Sequence, residues 1–173
     1  MNTIEELRLV KELKSGNKET LSLLWDEINP KLYGYLVNTL RDRSVADDIL
    51  QETWLKAITK LDKFKIRGIK FSAWLFAIAR NECRLYWRNN KKVSSVDLAD
   101  VNLVDNNSLL GINNNLLVES ILNKLDPAEQ EILQLRFIGQ FDFKEIAKIL
   151  GISVVNARVK LYRCLKKAQL YIK

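Results

Sequence analysis

The sequence predicts an all-α protein of two small helical domains joined by a flexible linker, the second containing a helix-turn-helix. Three observations point there. Apolar residues recur at helical spacing through most of the chain, with hardly any β-branched alternation. Only 6 Gly and 2 Pro occur in 173 residues, which leaves an all-helical chain as the simplest class. Between 93 and 115 the composition turns to Asn, Ser and Asp, without Lys or Arg and without a sustained helical period. A loop of that length inside a compact domain is uncommon. The expected division is 1–92, a linker over 93–115, and 116–173.

In the first domain, Thr3-Ile4-Glu5-Glu6 reads as a capping-box start, Leu7, Val10 and Leu13 form a stripe, and Gly16 is a stop. A second helical segment begins near Asn17 with Leu21, Leu24, Trp25 and Ile28. Pro30 either interrupts it or starts a new turn, and Leu32, Tyr33, Tyr35, Leu36 and Leu40 carry the pattern on. Ser44 to Asp47 gives another Ser-x-x-acid signature. It opens a helix whose apolar stripe is Ala46, Ile49, Leu50, Thr53, Trp54, Ala57, Ile58 and Leu61. Its outward face shows Asp47, Asp48, Gln51, Glu52 and Leu55. In a basic protein, an acidic, amide-bearing face with an exposed leucine has the character of a protein-docking surface. The rival reading, carboxylates holding a metal for a nuclease, would normally need ligands converging from separate elements, and these lie on one helix.

Lys63 to Lys70 is a basic connector with Gly68 as its hinge, leading into the stretch from Phe71 to Lys92. There Phe71, Trp74, Leu75, Phe76, Ile78, Ala79, Leu85 and Tyr86 share a wide apolar arc. The opposite arc holds Arg80, Arg84 and Arg88 at spacing four, with Asn81, Trp87 and Lys91 beside them and Ala73 and Ala77 in between. One reading of this face is a solvated basic surface. The other is a contact for a polyanion with stackable bases, because ordinary surface helices mix charge signs and gain i,i+4 pairs.

The second domain begins with an amphipathic helix over Leu116, Leu117, Ile121, Leu122 and Leu125. Asp126-Pro127-Ala128-Glu129 combines an N-cap, proline at the first helical position and a capping-box acid, and that helix should run to Ile138 and stop at Gly139. Asp142 to Glu145 caps again. Ile146, Ala147, Leu150, Gly151, Ile152, Ala157 and Leu161 then fit a helix-turn-helix, with Gly151 in the tight turn and Ser153 capping the second helix. A bare helical hairpin is the alternative. With Ala157, Leu161, Cys164 and Ala168 inward, Val155, Asn156, Arg158, Val159, Tyr162 and Arg163 are the exposed candidates for groove and phosphate contact, and Lys166 and Lys167 meet phosphate or solvent.

Charge and composition narrow the function. Lys and Arg number 28 against 21 Asp and Glu, a formal +7, so the expected partners are anionic, nucleic acid first. The absence of His excludes histidine bases, catalytic triads and histidine-ligated zinc. Cys83 and Cys164 form no CxxC pair and read as reduced core thiols. Glycine-rich phosphate loops are missing. No cofactor or metal is expected, nor a membrane span or signal peptide, and the expected location is the cytoplasm.

Together, DDILQETWLKA, FSAWLFAIARN, LDPAEQEILQLRF and FKEIAKILGIS resemble the extracytoplasmic-function group of bacterial RNA polymerase sigma factors, over nearly the whole chain. The resemblance implies a promoter -10 and polymerase-binding domain over about 17–92 and a -35-binding domain over about 116–173. The helix carrying Asp48, Gln51 and Glu52 would dock on the polymerase largest subunit, in agreement with the docking character of that face, which adds Leu55. Capture of the -10 strand would fall to the segment from Phe64 to Asn81, with Phe64, Lys65, Lys70 and Arg80 in it and Asn81 near a flipped base, and the basic face adds Arg84, Trp87 and Arg88 as expected -10 contacts. Arg158, Val159, Tyr162 and Arg163 match the family's recognition helix and would meet the -35 duplex, and the exposed face adds Asn156 and Lys166 as expected contacts. The implied protein is no enzyme, and its implied partners are core RNA polymerase, promoter DNA and an anti-sigma factor. Val155-Asn156-Ala157 departs from the family's usual Gly-Thr-Val, so no -35 sequence preference is inherited. A stand-alone helix-turn-helix regulator is the alternative function.

Overall fold

A computed structural model describes residues 3–66, 68–93 and 124–171, with backbone alone for 91–93. The described residues are helical throughout, without strands, and the chain divides into two units between Val104 and Asp105. The linker expected over 93–115, apart from Val93, and the helix expected over 116–125, apart from Lys124 and Leu125, lie outside the described residues.

The first unit contains α1 (Thr3–Lys14), α2 (Glu19–Leu40), α3 (Arg43–Thr59), a 3-10 turn (Leu61–Lys63) and α4 (Phe71–Val93). Leu24, Ile28, Leu32, Tyr35 and Leu36 of α2 are buried with Ala46, Leu50, Trp54 and Ala57 of α3 and Phe71, Leu75, Phe76 and Ala79 of α4. Each large side chain removed from water here contributes about 1.5–3 kcal/mol. Pro30 does not break α2, which runs unbroken past it. The ring removes one backbone donor, but the apolar residues on either side of it face the same core, and packing outweighs the lost bond. A left-handed Arg41, φ +56°, ends α2 with its N–H on the Val37 carbonyl at 2.8 Å.

Two expected caps are corrected. Asp42, not Ser44, caps α3, its carboxylate accepting from the Val45 N–H at 3.1 Å. Thr3 lies inside α1, and Glu6 is buried and turned toward another helix. The apolar arcs also shift at their edges. Ile58, expected inside, is 45% exposed, and Trp25 lies at the surface with its ring 4.9 Å from Trp54. Ala73, expected on the outer arc of α4, is fully buried, since a methyl group is small enough to pack where helices approach closely.

The second unit contains α5 (Pro127–Leu133), a π turn (Gln134–Ile138), α6 (Phe143–Leu150) and α7 (Val154–Leu170). Asp126 and Glu129 form the expected capping box of α5, and Asp142 and Glu145 form one on α6. The helix reaches Gly139 as expected, but its last turn is π-type, with the Gly139 N–H on the Gln134 carbonyl at 2.9 Å. A side chain at 139 would collide with the Phe141 ring, at 2.5 Å from an ideal Cβ, so glycine is needed there for close approach. The core joins Leu125, Ile132, Leu135, Phe141, Ile146, Ile149, Ala157, Leu161 and Cys164.

Candidate nucleic-acid and docking interfaces

The start of α4 is capped from a distance. Lys70 precedes the helix and offers no carboxylate, so the cap comes from α1. The Glu6 carboxylate accepts from the Ser72 backbone N–H and, at 3.1 Å, from the Ser72 hydroxyl. A buried acid thereby satisfies an otherwise orphan donor at the positive end of the helix dipole. Lys14, at the end of α1, donates to the carbonyls of Phe64 at 2.7 Å and Asp62 at 3.4 Å, tying the connector to the same helix.

Within this frame the outward side of α4 presents Asn81, Arg84, Trp87 and Arg88 to solvent, while Arg80 is half-buried. Trp87 is 40% exposed, enough to offer a stacking face. The helix has a single acid, Glu82. Lys56 of α3 takes it up at 2.6 Å and also holds Glu52 at 3.0 Å. These two carboxylates, Glu82 first, hold the Lys56 ammonium above the ordinary lysine range. Neutralising Glu82 leaves the exposed part of α4 with arginine, amide and indole groups. Lys65 is exposed and Lys70 half-buried.

Phe64 stands apart from the rest of this set. It is 4% exposed, its ring edge-on to Phe71 at 5.4 Å and 5.3 Å from Trp74, so in this conformation it presents no face to a base. Removing the ring from water against Phe71 and Trp74 favours this burial, and the Lys14 bond to the Phe64 carbonyl ties the adjoining backbone to α1.

On α3, Asp48, Gln51, Glu52 and Leu55 all face solvent, and Leu55 is 60% exposed. Lys56 therefore links this face to α4. No group of His, Cys, Asp and Glu residues suited to a metal ion occurs among the described residues.

In the second unit, Gly151 adopts φ +69°, a left-handed turn that glycine takes without strain, and its N–H closes α6 on the Ala147 carbonyl. Ser153 caps α7 by accepting from the Asn156 N–H at 3.1 Å. Helix, tight turn and helix follow as expected, and the outer side of α7 exposes Val155, Asn156, Arg158, Val159, Tyr162, Arg163 and Lys166. Lys167 is drawn to Glu129 of α5 at 2.7 Å, a bond that holds the two helices together rather than a free phosphate ligand. Cys164 is buried, and burial, followed by the charges of Glu129 and Asp126, pushes its thiol up from 9.0 to about 11, so it stays a neutral core group. Cys83 and Cys164 are both unbridged.

A helical unit with a cationic, amide- and indole-bearing helix beside an exposed acidic and apolar face, followed by a helix-turn-helix unit, has the make-up of a nucleic-acid-binding protein. Comparison with known proteins places it more closely. The family model described as Sigma-70 region 2 matches residues 24–93, and that described as Sigma-70, region 4 matches residues 115–167. The ECF RNA polymerase sigma factor EcfG of Rhodopseudomonas palustris is 31% identical, the match covering 83% of this chain and 81% of that protein. The ECF RNA polymerase sigma factor BldN of Streptomyces coelicolor is 25% identical, with 92% of this chain matched but only 63% of the length of BldN. In fold, the chain is similar to the sigma factor RpoE of Bartonella quintana, solved in complex with the anti-sigma factor NepR. The TM-score is 0.74 at 21% identity, over 88% of this chain and 96% of that one. The chain belongs to the ECF group of RNA polymerase sigma factors and is an alternative sigma factor.

Proposed function

We propose that this alternative sigma factor binds core RNA polymerase through Asp48, Gln51, Glu52 and Leu55 of α3 and directs it to promoters by reading duplex -35 DNA with α7. It then promotes melting by holding the -10 strand against α4 and its connector. The unit over 1–92 does the docking and opening, and the unit over 116–173 does the duplex reading. The observation that carries this reading is the pairing, inside one unit, of an exposed acidic and apolar face with an exposed arginine, asparagine and indole face.

The division of labour on α4 follows from side-chain chemistry. Asn81 can pair with a base edge and Trp87 can stack, whereas Arg84 and Arg88 suit phosphate. Unstacking a base costs a few kcal/mol, and stacking on an aromatic side chain returns about 1–3 kcal/mol per base. Binding energy therefore opens the duplex, and the polymerase performs the chemistry; the sigma factor itself is no enzyme. Phe64, buried against Phe71 and Trp74, supports the connector in this arrangement. A stand-alone regulator would need α7 but would have no use for the first unit.

An anti-sigma factor is the proposed inhibitor, by analogy with the complex formed by the Bartonella protein, and the place of action is the cytoplasm, where core polymerase is found. The test is transcription in vitro with purified core polymerase on a promoter library, with permanganate reporting unpaired thymines. The expected outcome is thymine reactivity around -10 that requires both the chain and core polymerase. Promoter binding by the chain alone, with no polymerase-dependent opening anywhere in the library, would instead support the regulator.

A further inference from the structure

Two arginines of the second unit share one aromatic ring. The guanidinium carbon of Arg136, in the π turn, lies 5.2 Å from the centroid of Phe143, and that of Arg158, on α7, lies 5.5 Å from the same centroid. Both distances fall within the range in which the negative face of an aromatic ring attracts a cation. The two arginines differ in what else they do. Arg136 is half-buried and donates through Nη1 to the Phe141 carbonyl at 2.9 Å, so it is anchored to the loop before α6. Arg158 is exposed and has no carboxylate partner among the described residues, and its guanidinium lies over the ring.

The location of the ring matters. Phe143 is the first residue of α6, held by the capping box of Asp142 and Glu145, and it is itself half-buried. It is therefore a fixed plate, while Arg158 is a long and otherwise unrestrained side chain. Each guanidinium is attracted to the negative face of the ring without any anion, and a nearby anion would further offset the mutual repulsion of the two cations. The ring is built into the fold, and the anion is what a DNA duplex would supply.

We propose that Phe143 is a positioning residue for promoter recognition. Its ring holds the Arg158 guanidinium in place before DNA arrives, so that the side chain meets the -35 duplex already ordered, with Arg136 steadying the ring from the loop. This rests on the reading of α7 as the helix that contacts the -35 element. Phe143 touches no base or phosphate; it acts through Arg158.

The experiment uses the full chain assembled with core polymerase and measures affinity for a promoter fragment carrying the -35 duplex, across a salt series. The variants are Phe143→Leu, Phe143→Tyr, Arg158→Ala and the double variant Phe143→Leu with Arg158→Ala. Phe143→Leu keeps apolar bulk but removes the π face, and it should weaken binding about two- to fivefold. Its salt slope should match the unsubstituted protein, because no charge is lost, whereas Arg158→Ala lowers the slope. Phe143→Tyr, which keeps the ring, should restore affinity. In the Arg158→Ala background, Phe143→Leu should have no further effect. Unchanged affinity for Phe143→Leu, or an undiminished loss in the Arg158→Ala background, would overturn the proposal; the second result would mark the ring as packing only. If Arg158→Ala itself left both affinity and slope unchanged, the reading of Arg158 as a -35 contact would fall instead, and with it the role assigned to Phe143.

Discussion

At the residue scale, Glu6 is the side chain on which the geometry of the DNA-facing helix depends most. It is a buried acid whose bonds end on the first turn of α4. Replacing an N-cap acceptor typically costs about 0.5–2 kcal/mol. Glu6→Ala should lower stability by about 1–2 kcal/mol in urea unfolding followed by circular dichroism, and Glu6→Gln, which keeps an acceptor but not the charge, should cost less. This contact was not legible in the sequence. Glu6 looked like part of a local capping box because Thr3 stands three residues before it, and a bond spanning 66 positions has no local signature. Phe64 is buried for reasons that its sequence neighbourhood does not show. Its ring packs on Phe71 and Trp74 while Lys14 bonds its carbonyl from 50 positions away, and neither contact has a local signature. Cys164 and Cys83 were legible as core thiols, because both sit on the buried side of a helical period.

At the scale of the element, α4 was the most readable part of the chain. Its 3.6-residue period separates Phe71, Leu75, Phe76 and Ala79 from Asn81, Arg84, Trp87 and Arg88, and burial follows that separation. The errors fell at small residues and at arc edges. Ala73 is inside because alanine packs on either side of a boundary, and Trp74, Leu85 and Tyr86 are half-buried rather than enclosed. Composition could not reveal the fate of Glu82, which is cancelled by Lys56 from the neighbouring helix. The face that remains should bind by phosphate contact. Arg84→Ala and Arg88→Ala should each reduce the slope of log affinity against log salt by about 0.7–0.9 in promoter binding by the polymerase complex. An unchanged slope would mean that these arginines stay in solvent.

At the scale of the molecule, fold class was legible because caps, glycine stops and helical periods agreed along the chain, as in α5 and α6, where acid, proline and glycine all stand where the helix ends require them. Function needed both units, since neither a basic helix nor a helix-turn-helix alone separates a sigma factor from a regulator. The two activities should be separable by mutation. The double change Gln51→Ala and Glu52→Ala should weaken binding to core polymerase about tenfold or more, the range of losing one or two interface anchors, while thermal unfolding of the chain is preserved. Retained polymerase affinity, read by competition against labelled chain, would move the docking surface elsewhere. The cap on α4 has one more consequence, for protein engineering. The segment that matches the region 2 family model begins at residue 24, yet the carboxylate that secures the DNA-facing helix stands at residue 6. A chimaera that grafts only the matched segment onto another sigma factor would carry every proposed DNA contact on α4 while leaving its leading turn unsupported, so the transplantable module must be cut upstream of α1.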